Sequence, residues 1–205
     1  MLFTKYRHAV RWPLYRLPRP VRIAVDWLAT LGVAAVIVLV LETEVAKPYR
    51  IPTSSMEPTL HCAAPAPGCL GKTSDRVLAA SAVYDFRSPA RGDVVVFTAP
   101  KRAKSVCPEG GTFVKRIVGL PGEVVSERHG FVYVDGKRLV EHYVDPSRRD
   151  DTTKTWPRDG KSEYFVMGDN RAASCDSREW GTVPRKNMIG PVIGLYWPFH
   201  RMGFR

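Results

Sequence analysis

The longest apolar run in the chain lies near its N-terminus, from Ile23 to Leu41, and carries a single charge, Asp26. A helix of this length, with a rise of 1.5 Å per residue, would be about 28 Å long, close to the ~30 Å hydrocarbon core of a bilayer. The pattern therefore predicts a transmembrane anchor over residues 23–42. A buried helix of a soluble protein and a cleaved signal peptide are the alternatives.

Beyond residue 43 the apolar positions come in short runs that end at Gly or Pro, which is typical of β-strands. The segments with this pattern are 91–100, 112–120, 123–128, 131–140, 163–170 and 191–197. Asp135-Gly136, in the middle of one run, favours a type I′ hairpin turn. Residues 74–86 fit a strand or one short helix. Loops are predicted where Pro, Gly and charged residues accumulate, in 61–73, 100–111 and 144–162. The prediction is a mainly β domain.

The basic residues are concentrated before the apolar run. Residues 1–22 contain no Asp or Glu, and their six cations are Lys5, Arg7, Arg11, Arg16, Arg19 and Arg22. The positive-inside rule places this tail in the cytoplasm. We therefore predict a basic cytoplasmic tail (1–22), a single-pass membrane anchor (23–42) and an extracytoplasmic domain (43–205). The rest of the +11 net charge is spread along the chain, which argues against nucleic-acid binding.

Four cysteines fit an oxidising exterior. Cys62 and Cys69 bracket the Pro- and Gly-rich segment AAPAPG, so we expect them to pair. A zinc site is disfavoured because their spacing is wrong and no paired histidines accompany them. Of the three possible connectivities, the favoured one joins Cys107 to Cys175 as the second bridge. Neither a metal nor a cofactor is expected.

The segment IPTSSMEPTL, residues 51–60, places three hydroxyl groups, those of Thr53, Ser54 and Ser55, between two prolines. A serine hydroxyl is a poor nucleophile unless a base removes its proton. The candidate histidines, none of which has an orienting carboxylate in a distinctive motif, are His8, His61, His129, His142 and His200. A Ser-His-Asp triad is thus the less favoured mechanism.

Lysine can replace histidine as the base if apolar surroundings keep its amine neutral. In FVKRIVGLPGE, strand alternation places Lys115 on the same face as Phe113 and Ile117. The alternative is a lysine that extends from a sheet edge to reach solvent.

Four segments follow the apolar run in order: IPTSSMEPTL, RGDVVVF, FVKRIVGLPGE and MGDNRAASCDSREWG. Together they resemble the bacterial type I signal peptidases, membrane-bound Ser-Lys endopeptidases, over most of residues 23–197. The resemblance implies a signal-peptidase-like β-sheet catalytic domain with one N-terminal transmembrane helix. It also implies removal of signal peptides from exported preproteins, with cleavage after small residues of the A-x-A type.

The resemblance assigns roles to individual residues. It implies that Ser55 is the nucleophile and Lys115 the general base. The other residues that it places at the site are Thr53 for the oxyanion, Ser174 to orient the lysine amine, and Asp176 with Arg178 as a structural ion pair. A preprotein would lie as an extended strand beside residues 51–53 and 113–115. The residues expected to contact it are Ile51, Pro52, Met56, Phe113 and Val114.

Two features depart from the family pattern. Arg171-Ala172-Ala173-Ser174 stands where the family has Arg-Asp-Asn-Ser, and the loop 61–73 is expanded. The expected partners are preproteins with signal peptides and the lipid bilayer, and the protein is expected to act as a monomer. A self-cleaving repressor-type Ser-Lys protease and a non-enzymatic membrane-anchored β-domain remain as alternatives.

Overall fold

The computed structural model describes residues 18–40, 46–107, 111–157, 160 and 162–204. The chain divides into two compact units, Met1–Glu44 and Val45–Arg205. Within the first unit, helix α1 extends over Arg19–Val40. No helix in the described part of the chain is long and apolar enough to cross a membrane. Of the predicted tail and anchor, residues 1–17 and 41–42 lie outside the described residues.

The second unit is mainly β, which confirms the prediction of a mainly β domain. Its described strands are β1 (Lys47–Arg50), β2 (Arg76–Ala79), β3 (Val94–Thr98), β4 (Thr112–Gly119), β5 (Val125–Arg128), β6 (Phe131–Val134), β7 (Lys137–Arg138), β8 (Lys154–Trp156), β9 (Glu163–Met167), β10 (Val183–Pro184), β11 (Met188–Trp197) and β12 (Gly203–Phe204). The larger sheet of the described residues has the order β1-β2-β11-β3-β4-β9-β10, with β12 also paired to β11. All of its pairings are antiparallel.

A smaller sheet has the order β7-β6-β5-β8. Its β6–β7 hairpin turns at Asp135 and Gly136, whose φ angles are 47° and 78°. Positive φ at both central residues is the requirement of a type I′ turn, so the predicted turn chemistry is present at this point.

The helices of the second unit are short, and several lie where a loop or a single element was predicted. They are α2 (Val83–Phe86), α3 (Lys101–Val106) and α4 (Ser177–Trp180). The stretch 74–86 contains both a strand, β2, and a helix, α2. The predicted loops 100–111 and 144–162 contain α3 and β8, so both loop predictions were wrong in part. These elements are too short to leave a periodic pattern in the sequence.

The central strands of the larger sheet are buried on both faces. On one face, Phe97 packs in an aromatic cluster with Phe113 and Trp180. On the other face, Val96 packs with Ile51 and Met56 from the segment that carries the serines. The sheet therefore fixes the position of that segment relative to β4, which carries Lys115.

Two disulfides join loops to this framework. Cys62 is bonded to Cys69, and Cys107 at the end of α3 is bonded to Cys175. These are the two pairings that the sequence favoured. The second bridge connects residues separated by 68 positions, next to the predicted site residues Ser174 and Asp176.

Candidate active site

The serine turn, residues Ile51–Met56, begins as extended backbone and then tightens. The Ile51 amide donates to the Asp75 carbonyl at 2.9 Å, and Thr53 is extended at φ −125° and ψ 160°. A single 3₁₀ turn follows over Ser54–Met56, and within it Ser55 and Met56 are buried. The turn thus brings Ser55 inward at the end of an extended segment.

Asn170 fixes the carbonyl groups of this turn. Its side-chain amide donates to the Ser54 carbonyl at 3.0 Å, and its backbone amide donates to the Ser55 carbonyl at 3.1 Å. The Ser54 carbonyl also accepts from the Glu57 amide at 3.1 Å. Sequence analysis did not select Asn170, although it lies in the quoted segment MGDNRAASCDSREWG and could have been selected from that context.

The hydroxyl groups of Thr53 and Ser55 lie close together. Their oxygens, Oγ1 and Oγ, are 3.3 Å apart, within hydrogen-bonding range. A hydroxyl donor beside a serine oxygen is suited to stabilise negative charge that develops on a carbonyl attacked by that serine. The predicted oxyanion hydroxyl is therefore next to the predicted nucleophile.

Lys115 occupies the buried face of β4. Burial alternates along the first six residues of this strand, and Lys115 shares its face with Phe113 and Ile117, as strand alternation predicted. The lysine is 2% exposed, and its Nζ lies 5.8 Å from the centroid of the Phe113 ring. Burial disfavours a charged ammonium and favours the neutral amine, whereas the Asp176 carboxylate, whose pKa is lowered in part by the charge of Lys115, acts in the opposite direction.

One cavity brings the predicted residues together. Its volume is about 180 Å³, and its lining includes Thr53, Ser55 and Lys115. The five predicted substrate contacts also line it: Ile51, Pro52, Met56, Phe113 and Val114. Sequence analysis missed three further lining residues, namely Tyr49, Arg50 and Thr112. No histidine is among the described residues that line this cavity; His61 instead contacts Glu57, with Nδ1 at 2.5 Å from the carboxylate.

Ser174 lies behind the serine turn, against Gly168. A Cβ atom at Gly168 would fall well inside van der Waals contact of both Ser174 Oγ and the Ser55 carbonyl oxygen, so only glycine fits between them. The Ser174 hydroxyl is buried, and it has no hydrogen-bond partner in the described part of the chain. The hydrogen bond to Lys115 that the resemblance implies is therefore not formed in this structure.

Asp176 and Arg178 form the ion pair that the resemblance implies, with Nε 2.9 Å from Oδ1. The Gly168 amide also donates to Asp176, at 3.0 Å. Burial raises the pKa of Asp176, but the Arg178 guanidinium and these hydrogen bonds outweigh it and hold the pKa below its ordinary value. The Arg178 guanidinium also donates to the Arg171 carbonyl at 2.7 Å. The pair therefore braces the loop that carries Ser174.

A buried glutamate lies beside this pair. Glu127 is 1% exposed, and each of its carboxylate oxygens is 3.9 Å from a guanidinium, one from Arg171 and one from Arg178. Neither oxygen accepts a hydrogen bond within the described residues. Burial raises the pKa of Glu127 to about 7. The position of Glu127 in β5 gave no sign of this environment, because both arginines are more than 40 residues away in the sequence, Arg171 in a short 3₁₀ turn and Arg178 in α4.

The disulfide loop of Cys62 and Cys69 rests on the serine turn through Glu57. The buried Glu57 carboxylate accepts from the amides of Cys62 and Leu70, each at 3.0 Å. At the tip of the loop, Gly68 has a φ of +76° and approaches the Ser54 side chain closely. This disulfide loop thus packs against the segment that carries the predicted nucleophile.

Comparison with known proteins gives a consistent family. The chain matches the family model described as signal peptidase, peptidase S26, over residues 24–197. Signal peptidase I of Leptolyngbya laminosa is 36% identical over 180 residues, which cover 87% of this chain and 82% of that protein. The probable signal peptidase I-2 of Synechocystis sp. is 38% identical over 176 residues, covering 85% and 73%. Signal peptidase I of Mycobacterium tuberculosis is 34% identical over 234 aligned positions, covering 91% and 77%. The chain therefore belongs to the signal peptidase family, peptidase S26, and is a serine peptidase.

Proposed function

We propose that this protein removes N-terminal signal peptides from exported preproteins by a Ser-Lys dyad mechanism. The observation that carries the proposal is the single cavity in which Ser55, Lys115 and Thr53 meet apolar walls. The favoured substrate has small side chains at the first and third positions before the cut. In this proposal, small pockets lined by Ile51, Pro52, Phe113 and Val114 favour Ala at these two positions.

The reaction begins with a proton transfer. Neutral Lys115 takes the proton of the Ser55 hydroxyl as its oxygen attacks the scissile carbonyl carbon. The Thr53 hydroxyl and the Ser55 amide donate to the oxyanion of the tetrahedral intermediate. The Lys115 ammonium then protonates the leaving amine, and an acyl-enzyme remains. Water, deprotonated by the same amine, attacks the ester, and the Lys115 ammonium returns the proton to the leaving Ser55 oxygen, which releases the signal peptide and restores the enzyme.

The roles of Asn170, Gly168 and the Asp176–Arg178 pair are positional in this proposal. Asn170 holds two carbonyls of the serine turn, and the ion pair holds the loop of Ser174 against that turn. None of these groups needs to exchange a proton with the substrate. Their contribution is to keep the Ser55 hydroxyl and the Lys115 amine within reach of each other.

Membrane anchoring and topology belong to the same proposal. The 19-residue apolar run from Ile23 to Leu41 and the six cations of residues 1–22 support a single-pass anchor with a cytoplasmic N-terminus. The catalytic domain would then work outside, as a monomer, where the signal peptide of an exported preprotein leaves the bilayer. No cofactor or metal takes part.

The decisive experiment is a cleavage assay on a preprotein with an A-x-A site, using the full-length protein and its Ser55→Ala and Lys115→Ala variants. Loss of cleavage in both variants, with the fold retained by circular dichroism, is the expected result. A non-enzymatic β-domain would cleave nothing as wild type, and a self-cleaving protease would process its own chain at a rate independent of its concentration. Full activity in either variant would exclude the dyad.

A deletion tests the anchor separately. A protein without residues 1–42 should stay mostly β and still cut a soluble peptide, because Val45–Arg205 forms its own compact unit. It should cut a preprotein embedded in vesicles less efficiently than the full chain does. Equal efficiency on both substrates would exclude a role for the N-terminal segment in presentation.

A further inference from the structure

Two arginines lie directly opposite each other at the edge of the larger sheet. In the antiparallel pairing of β1 with β2, Arg50 is the partner of Arg76. Both residues are exposed. Within the described residues, neither guanidinium forms a hydrogen bond or an ion pair with a protein group. Like charges in directly opposed positions destabilise a strand pair. An anion bound between the two guanidiniums would offset their repulsion.

This arginine pair is continuous with the cavity of the dyad, because Arg50 is one of the residues that line it. Arg50 is three residues before Thr53, and at about 3.3 Å per extended residue it lies roughly 10 Å from Thr53. Thr112, which also lines the cavity, is three residues before Lys115 along β4. Both residues therefore mark the end of the cavity that is remote from Ser55.

A substrate strand covers the same distance in about three residues. If the residue before the cut lies at Ser55, Arg50 is beside the fourth or fifth residue before the cut. This is the polar end of a signal peptide, beyond the small side chains that the proposed function requires. An aspartate or glutamate at that position can accept charge-assisted hydrogen bonds from a guanidinium.

We propose that Arg50, with Arg76 opposite it, forms a subsite that selects an acidic side chain four or five residues before the cleaved bond. The inference rests on the proposed function and names a preference within it. An anionic lipid headgroup is the other possible source of negative charge. The position of Arg50 in the wall of the cavity favours the substrate.

The test uses soluble peptides with one A-x-A site that differ at a single position, from the third to the seventh residue before the cut. Each position carries Asp, Asn or Lys in turn, and kcat/KM is measured with the full-length protein in detergent. At the fourth or fifth position we expect Asp to be cut about 1.5- to fivefold better than Asn, a range typical of exposed charge pairs, and Lys to be cut worse. The preference should shrink between about 0.05 M and 0.5 M salt because screening weakens exposed charge pairs.

Variants locate the preference. Arg50→Glu should invert it, so that the Lys peptide is cut better than the Asp peptide, and Arg76→Glu should weaken it. Lys137→Glu is the matched control, because it makes the same charge change on an exposed residue of β7 in the other sheet. Arg50→Gln provides a second variant without charge reversal, and it should bring kcat/KM for the Asp peptide close to that for the Asn peptide.

The outcomes separate the two proposals. Equal cleavage of the Asp, Asn and Lys peptides at every position by the wild type would overturn the subsite and leave the proposed function intact. The subsite would also be overturned, with the proposed function intact, if Arg50→Glu left the peptide preference unchanged but reduced sedimentation of the protein with vesicles containing an anionic phospholipid. That result would assign the arginines to the membrane surface. Failure of the wild type to cut any peptide would overturn the proposed function, and the subsite with it.

Discussion

Lys115 and Arg116 are adjacent cations on one strand, and β4 gives them opposite environments. Arg116 makes two hydrogen bonds to Asp169, at 2.9 and 2.6 Å, and its guanidinium lies 3.9 Å from the centroid of the Tyr143 ring. Lys115 is on the other face, buried beside the Phe113 ring in the wall of the cavity. Strand alternation alone separates the two positions.

The difference shows how two neighbouring cations acquire different chemistry. Burial lowers the pKa of Arg116, but the Asp169 carboxylate outweighs it and raises the pKa above its ordinary value, so Arg116 remains a structural cation. Burial also disfavours the charged form of Lys115, which lies on the opposite face of β4 from Arg116. A guanidinium group also keeps its proton in buried surroundings in which the ammonium group of a lysine can lose one. A base and a structural charge can therefore be encoded by the dipeptide Lys-Arg.

The largest expected effect comes from removing this distinction. Lys115→Arg keeps the charge and nearly the size of the side chain but cannot accept the Ser55 proton, so cleavage should fall by about a thousandfold or more. In the wild type, cleavage should rise with pH as Lys115 loses its proton. Rates measured with a preprotein from pH 6 to pH 10 check both expectations. Near-normal cleavage by Lys115→Arg would end the dyad mechanism and reopen the histidine triad.

The position of Lys115 could be predicted from sequence because alternation in FVKRIVG places it with Phe113 and Ile117, a local property. The partner of Arg116 could not, since Asp169 is 53 positions away and only the β4–β9 pairing brings it close. The same reason hid Asn170, whose two bonds to the serine turn cross more than a hundred residues of chain. Short elements such as α3 and β8 were hidden for a different reason, because they are fixed by packing and carry no pattern of their own.

Glu127 is a third buried ionisable group. It has two arginines nearby, yet accepts no hydrogen bond from either among the described residues. Burial raises its pKa from 4.5 to about 7, the effect being partly offset by Arg178. The folded state thus holds a proton that the unfolded state loses. Stability contributed by Glu127 should fall as pH rises from about 4.5 to 7, by about 3 kcal/mol in total.

The Glu127→Gln variant measures this contribution, because its side chain is neutral at every pH. The free energy of unfolding of the variant minus that of the wild type should increase by about 3 kcal/mol between pH 4.5 and pH 8. Urea denaturation at several pH values gives both quantities. A difference that is constant with pH would mean that Glu127 ionises in the folded state as readily as in the unfolded chain.

Arg116→Lys tests the structural cation and should have a smaller effect. Lysine keeps the charge but loses the paired geometry with Asp169 and the flat contact with Tyr143, so unfolding should become easier by about 1–2 kcal/mol. Cleavage per folded molecule should change by less than about tenfold, since a structural cation takes no part in proton transfer. A loss of cleavage as deep as that of Lys115→Arg, in a folded protein, would show that the two faces of β4 are not separate in function.

Ser174→Ala should have the smallest effect on stability. The Ser174 hydroxyl is buried without a hydrogen-bond partner in the described residues, so removing it leaves no donor or acceptor unsatisfied. Stability should change by less than about 0.5 kcal/mol, and cleavage should fall by about tenfold or less if the hydroxyl only orients the lysine amine during the reaction. Ser177→Ala, three residues further on at the start of α4, is the matched control, because the Ser177 hydroxyl accepts a hydrogen bond from the Val166 amide at 2.9 Å. That variant should lose about 1–2 kcal/mol of stability and keep the wild-type pH profile of cleavage, whereas Ser174→Ala should shift the profile towards higher pH. An unshifted profile together with full activity would remove Ser174 from the site and leave Lys115 positioned by β4 alone.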